Sequence, residues 1–432
     1  MEEHKSLFKR HAQVMPSWIA LNYAEPISLV RGEGRRVWDA EGNEYLDFFG
    51  GILTTISGHS VPEVVDAIRE QAGRLLHSST LYLIEPAIEL AEKIAELSPL
   101  DEPKVFFVSS GSEANEAALL LAATYRRSSQ VLALRNSYHG RSFATVGVTG
   151  NRGWSPSSLS PLTVSYVHGG YRYRSPFVAL SDSDYIKACV DDLRNIIETT
   201  TSGDVACMIA EPIQGVGGFA VPPDGLFGAM KEVLDEYGIL FISDEVQTGW
   251  GRTGEHFWGI DAHGLKPDAI TFAKGIGNGL ALAGIVARSE IMDSIQANSI
   301  STFGGNPLAA AGGLANLRYL LDHDLQRNAL EIGTQLISDL RSGCEAHEIV
   351  GEVRGKGLMI GIELVRPGGK EPAPEIAAQI MELCRESGLL LGKGGLYGNV
   401  LRIAPPLTVT KEEAATAAQI IGDAIAGTAA RS

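Results

Sequence analysis

The sequence predicts an α/β fold, a largely parallel sheet with helices on both faces, followed by a smaller α+β unit. Three observations carry this. Short apolar runs bounded by Gly, Asp or Pro alternate with helical patterns over roughly 200 residues from position 60 onward. The 49 glycines in 432 residues exceed the ~7% average and cluster at the ends of those runs, where a backbone turns tightly or approaches a ligand. Beyond about residue 315 the pattern changes to long helices and a few shorter strands.

In chain order, residues 36–48 read as a hairpin with its turn at Glu41-Gly42-Asn43. Helical spacing covers 61–76 and 85–97. Strand 104–108 (KVFFV) runs through Ser-Gly-Ser into a helix over 113–127. Further strands are expected at 130–135, 205–210, 239–243, 269–273 and 283–287. After the Gly-rich segment 303–313, helices cover 314–321 and 330–340. Strands at 350–353, 357–364 and 400–403 then enclose a helix over 375–387. This divides the chain into an N-terminal segment (1–60) packing with the C-terminal unit, a large domain (61–314) and a small domain (315–432). Ligands of such a sheet sit at the carboxyl ends of its strands.

Composition narrows the function. Lys and Arg total 36 against 52 Asp and Glu, a formal charge of −16. That disfavours nucleic acid or an anionic membrane as the main partner, since both need a basic face. Cys189, Cys207, Cys344 and Cys384 are scattered without CxxC spacing or a nearby histidine. They read as buried thiols in a reducing compartment, with neither a disulfide framework nor a metal site. The acidic start, Met1-Glu2-Glu3-His4-Lys5, has no apolar core and no export signal is expected. No stretch is apolar enough to span a bilayer. The expected location is cytoplasmic.

Two strand ends carry chemistry. Ile239-Leu-Phe-Ile-Ser-Asp244-Glu-Val246-Gln247 places a carboxylate at the end of a buried strand, and Ala269-Ile-Thr-Phe-Ala-Lys274-Gly-Ile-Gly-Asn-Gly does the same with a lysine. Either alone reads more simply as a charge facing solvent. Together, with three glycines after the lysine, they point to a bulky ligand. A third segment, Ser110-Gly111-Ser112-Glu113, leads a strand into a helix through small residues. By itself it reads as an N-cap, and with the other two as an anion cradle of backbone N–H groups. It has neither a Walker loop nor GxGxxG spacing. Cradle, carboxylate and lysine are what pyridoxal 5′-phosphate requires for its phosphate, its ring nitrogen and its aldehyde.

From about Trp18 to Ala418 the chain resembles the class III aminotransferases of the fold-type I pyridoxal-phosphate superfamily. The matching segments are SGSEANE (110–116), NSYHGR (136–141), AEPIQG (210–215), SDEVQTGWGRTG (243–254), FAKGIGNG (272–279), STFGGNP (301–307) and LRIAPPLTVT (401–410). The resemblance implies a seven-stranded sheet in the large domain and assigns Lys274 as the Schiff-base lysine and proton shuttle. It places Asp244 on the ring nitrogen, Gln247 on the phenolic oxygen and Tyr138 against the ring. Gly111 and Ser112 would hold the phosphate, and Ser110, His139 and Val246 would also bind the cofactor. Thr302 would reach the phosphate from a neighbouring subunit, which implies a homodimer with shared active sites and leaves a tetramer open. Glu211 is either a supporting partner of this machinery or a structural carboxylate.

Arg402 matches the arginine that clamps a substrate carboxylate. Arg141 either binds a second carboxylate or pairs with a structural acid. Enzymes of this class acting on ornithine or 4-aminobutyrate carry, after the EPIQ segment, a glutamate that masks the clamp. Val216 stands there in this chain. With RNSYHGR, FFGGI and VRGKGLMIGIE, this makes the alanine–glyoxylate type the nearest resemblance. It implies transfer of an amino group from a small α-amino acid to glyoxylate or pyruvate, by two half-reactions. An ω-amino acid aminotransferase and a decarboxylating dialkylglycine-type enzyme are the alternatives, and no metal is implied.

Overall fold

The structure is a computed structural model that describes residues 2–431 and, from residue 7 onward, their side chains. Strands β1 (Leu29–Glu33), β2 (Arg36–Asp39) and β3 (Glu44–Asp47) form an antiparallel N-terminal sheet, with the β2–β3 turn at residues 40–43 as the sequence predicts. Asp39 ties that turn: its carboxylate accepts from Asn43 N, Asn43 Nδ2 and the Tyr45 hydroxyl.

Strands β4 (Pro103–Val108), β5 (Gln130–Leu134), β6 (Thr163–Val167), β7 (Val205–Ala210), β8 (Leu240–Asp244), β9 (Ala269–Phe272) and β10 (Ala283–Arg288) make a seven-stranded sheet, ordered β4-β10-β9-β8-β7-β5-β6. From β6 to β9 all pairings are parallel. Every residue of β7, β8 and β9 is buried, which is why they read as unbroken apolar runs rather than alternating ones. β10 is antiparallel to both neighbours. The 273–282 connection is too short for the crossover that a parallel partner needs.

β11 (Val350–Lys356), β12 (Met359–Leu364), β14 (Gly392–Gly394) and β15 (Val400–Ile403) form a C-terminal antiparallel sheet, ordered β11-β12-β15-β14. The short β13 (Leu389–Leu390) instead joins β3 in parallel, stitching the N-terminal sheet to the C-terminal region.

Helices Pro62–Arg74 and Glu85–Leu97 lie where the apolar spacing puts them, and the third begins two residues early, at Gly111. The Gly-rich segment differs from expectation: a helix starts at Pro307, capped by Asn306 Oδ1, which accepts from Ala309 N at 3.1 Å, and runs to Asp322. Gly312 and Gly313 sit inside it because a Cβ on either would lie 2.3 Å from Leu280 or Leu282. These glycines are there for close packing rather than for a turn. Residue 315, where the domain boundary is drawn, therefore falls within a helix. Helices Glu2–Val14, Asp182–Thr200, Leu226–Glu236 and Lys411–Ala429 and the edge strand β6 are further elements that the sequence reading left unassigned. Among the described residues no helix is long and apolar enough to cross a membrane, and all four cysteines are buried and free.

Candidate active site

β8 and β9 lie side by side and parallel, so their carboxyl ends deliver Asp244 and, just past β9, Lys274 to one cavity. The helix Gly111–Arg126, which packs across β7, β9 and β10, presents its N-terminus to the same place. The cavity is lined by Ser110, Gly111, Ser112, Asn115, Tyr138, His139, Gly140, Glu211, Asp244, Val246, Gln247 and Lys274. Ten of these twelve are residues the sequence nominated.

Asp244 is almost fully buried. Its Oδ2 accepts from Asn115 Nδ2 at 2.7 Å and lies 2.8 Å from His139 Nδ1, while Oδ1 accepts from Val246 N at 3.1 Å. Asn115 is fixed in turn by Thr271 Oγ1, which donates to its Oδ1 at 2.6 Å, and by donation from Nδ2 to His139 O. A buried carboxylate with this many partners is held in one orientation.

Lys274 makes no hydrogen bond or ion pair with any described residue. Burial pushes its amine down from 10.5 to about 8; Asp244 opposes that shift and Arg402 adds to it. Its backbone is left-handed (φ +47°), a conformation costly for a long side chain and characteristic of functional positions.

At the cradle, Ser110 Oγ accepts from Glu113 N at 3.2 Å as the helix N-cap, and Ser112 Oγ accepts from Arg141 N at 3.1 Å. The N–H groups of Gly111 and Ser112 keep no acceptor among the described residues, as the first turn of a helix dictates. They form the positive end of the helix dipole and suit an anion.

Glu211, at the mouth of β7, accepts from Tyr138 N at 2.9 Å and from Gly215 N at 2.8 Å. Burial pushes its carboxyl upward, and His139 counters. Tyr138 meets Trp154 edge-on, ring centroids 5.4 Å apart.

Arg402 leaves β15 fully buried beside this cavity. Its Nη2 donates to Gln247 Oε1 at 2.9 Å, and its guanidinium lies over Phe219 at 4.7 Å and Phe49 at 5.1 Å. No carboxylate hydrogen-bonds it among the described residues, Nε has no partner, and burial lowers its pKa to about 10. Gly215 makes room for this arrangement: a Cβ there would sit 2.2 Å from the Gln247 amide. Besides Arg402, two nominated residues do not line the cavity. Arg141 is exposed, 5.2 Å over the Trp18 ring, and Thr302 is exposed beside Ser301, whose Oγ bonds Glu113.

Asn115, Thr271 and Gly140 are the parts that sequence reasoning missed. Asn115 stands one helical turn after Ser112 on a helix otherwise rich in Ala and Leu. An amide on a buried helix face was the available signal.

The residues fit pyridoxal phosphate: an unpaired amine, a buried carboxylate held by fixed partners, and unsatisfied N–H donors at a helix N-terminus converge on one cavity. The comparisons agree. Residues 19–425 match the family model "Aminotransferase class-III". Alanine–glyoxylate aminotransferase 2 homolog 2 of Arabidopsis thaliana is 41% identical over 94% of this chain and 84% of its own. The 5-aminovalerate aminotransferase of Pseudomonas aeruginosa is 38% identical over 94% of both chains. The solved (S)-enantioselective ω-transaminase of Thermomicrobium roseum superposes with a TM-score of 0.90 at 34% identity, covering 98% of each chain. The fold, the matched model and these relatives together place the chain in the class III aminotransferase family, as a pyridoxal-phosphate-dependent enzyme.

Proposed function

We propose that this aminotransferase takes its amino group from a small α-amino acid such as alanine and passes it to glyoxylate or pyruvate. The observation that carries this is Arg402: buried, cationic and hydrogen-bonded to the neutral Gln247, with Val216 where a masking acid would stand. A carboxylate next to the reacting amine would find the guanidinium without having to displace an ion pair. The Arabidopsis relative's name agrees with this donor class.

Pyridoxal phosphate supplies an electron-withdrawing ring that stabilises negative charge on the substrate α-carbon. In this reading Lys274 would hold the aldehyde, and its amine would move the proton at the substrate α-carbon, a task suited to an amine near pKa 8. Asp244 keeps the ring nitrogen protonated. Gln247 offers its amide N–H to the phenolic oxygen, Tyr138 covers the ring, and Gly111 and Ser112 hold the phosphate with Ser110 capping their helix. Glu211 positions Tyr138 through its backbone N–H.

The exposed Thr302 belongs to the site of a second subunit in a homodimer. Four buried free cysteines accord with a cytoplasmic enzyme. The working division is 1–60, 61–314 and 315–432, with β13 joining the first part to the third.

The test is the visible spectrum of the purified holoenzyme with L-alanine, 4-aminobutyrate or a dialkylglycine added separately, without acceptor. Loss of the yellow absorbance with alanine, restored by glyoxylate, is expected. Bleaching by 4-aminobutyrate instead, or carbon dioxide release from the dialkylglycine, would overturn the donor assignment in favour of the ω-amino or the decarboxylating alternative.

A further inference from the structure

A second cleft of about 610 Å³ opens at the carboxyl ends of β5 and β6. Arg135 follows β5 directly and His168 follows β6 directly. Tyr171 and Arg174, in the connection after β6, form another wall, and Leu396 and Tyr397, from the loop between β14 and β15, close it. It shares no lining residue with the cofactor cavity. Its volume is that of a site for a small organic ligand.

The cleft is basic in an acidic protein. Among the described residues no Asp or Glu lines it, although the chain carries a formal charge of −16. Arg135 is exposed, and its guanidinium has no hydrogen bond or ion pair with any described residue. The His168 ring has no hydrogen bond among the described residues; burial and the Arg135 charge favour its neutral form, and Asp192 opposes them. The nearby Asp192 accepts from the His168 backbone N–H and does not reach the lining.

Arg174 is partly engaged. Its Nε donates to Glu363 at 2.7 Å and Nη1 to Lys370 O at 2.7 Å, while Nη2 is buried and has no partner among the described residues. Glu363 is fully buried and also paired with Arg354 at 2.8 Å, so its charge is compensated behind the wall. Tyr397, half exposed, lies 5.2 Å from the Arg174 guanidinium across its ring. An exposed, unpaired guanidinium in a cleft lined by aromatic side chains selects a ligand that is both anionic and flat.

We propose that this cleft is a second ligand site, separate from the cofactor cavity, that takes an organic anion carrying a flat ring, with the anionic group on Arg135 and His168 and the ring against Tyr397. Because the Tyr397 loop leads into β15, which carries Arg402, a ligand here would grip the segment that ends in the carboxylate clamp. The proposal does not depend on which amino donor the enzyme uses.

The experiment is isothermal titration of the holoenzyme, its cofactor cavity filled, with phenyl phosphate and with inorganic phosphate. Phenyl phosphate is expected to bind saturably and at least tenfold more tightly than phosphate. Arg135→Gln should weaken phenyl phosphate at least tenfold, and Tyr397→Ala should abolish its advantage over phosphate. Both variants should keep the wild-type visible spectrum, which shows that the fold and cofactor are intact. Absence of saturable binding by the wild type, or binding unchanged in Arg135→Gln, would overturn the assignment.

Discussion

Gln247 Oε1 accepts a 2.9 Å hydrogen bond from Arg402 Nη2, joining the loop after β8 to β15 across 155 positions of sequence. The bond is charge-assisted on one side only, so a substrate carboxylate can replace the amide with a net gain in charge pairing. A carboxylate in place of the amide would reverse that.

Gln247→Glu is therefore expected to pair with Arg402 and mask it. The kcat/KM of the alanine half-reaction should fall by about tenfold or more, equivalent to roughly 1.4 kcal/mol per factor of ten. An amine without a carboxylate, such as propylamine, should lose much less. Stopped-flow bleaching with each donor measures both, and an equal loss for the two would assign Gln247 to the cofactor alone.

The amine of Lys274 is held near pKa 8, against 10.5 for an unperturbed lysine. Only the neutral amine attacks an aldehyde, so its reactive fraction rises about tenfold per pH unit below that value and levels off above it. Uptake of pyridoxal phosphate by the apoenzyme should follow this curve with its midpoint near pH 8. Arg402 contributes to the lowering, so Arg402→Leu should move the midpoint upward.

Asn115→Leu removes the donor that fixes Asp244 and leaves Thr271 Oγ1 without its acceptor. Losing buried hydrogen bonds of this kind costs about 1–3 kcal/mol. A lowered midpoint of chemical unfolding and at least tenfold weaker retention of the cofactor during dialysis are expected. Asn115→Asp should fare no better on retention, since it sets a second carboxylate against Asp244.

Glu245, next to Asp244 but turned into the core, accepts from Gly259 N at 2.9 Å, Ile260 N at 2.8 Å and the Thr248 hydroxyl. Burial pushes its carboxyl up to about 7. The folded state then holds this proton more tightly than the unfolded one. Its contribution to stability is complete below pH 4.5 and is lost as the pH rises through 7, about 3 kcal/mol in all. Glu245→Gln should remove that dependence. Urea unfolding of both proteins between pH 4.5 and 8 should show the wild type losing ground against the variant across that window.

Much of the site was legible in the sequence because its chemistry lies at strand ends. An apolar run ending in Ser-Asp-Glu, and another ending in Ala-Lys-Gly, announce a carboxylate and an amine where a parallel sheet places its ligands. β7, β8 and β9 were equally plain, being buried on both faces. Asp182–Thr200 and Lys411–Ala429 were left unassigned although their caps lie in the sequence: Ser181 accepts from Asp184 N, and Thr410 from Glu413 N. Gly312 and Gly313 misled for a physical reason. A glycine that admits a leucine from another element looks, in sequence, the same as a glycine that turns the chain.

By itself the sequence determined the inventory: a lysine and an aspartate at the ends of buried strands, a small-residue turn into a helix, and valine at position 216. These follow from local composition and spacing, which the chain carries wherever it goes. Tertiary structure decided which of them meet. It set Asn115 on Asp244, turned Gln247 toward Arg402 over Gly215, and gathered Arg135, Arg174 and Tyr397 around one cleft. Each of these depends on side chains brought together from distant parts of the chain, and only the packed sheets and helices fix those distances.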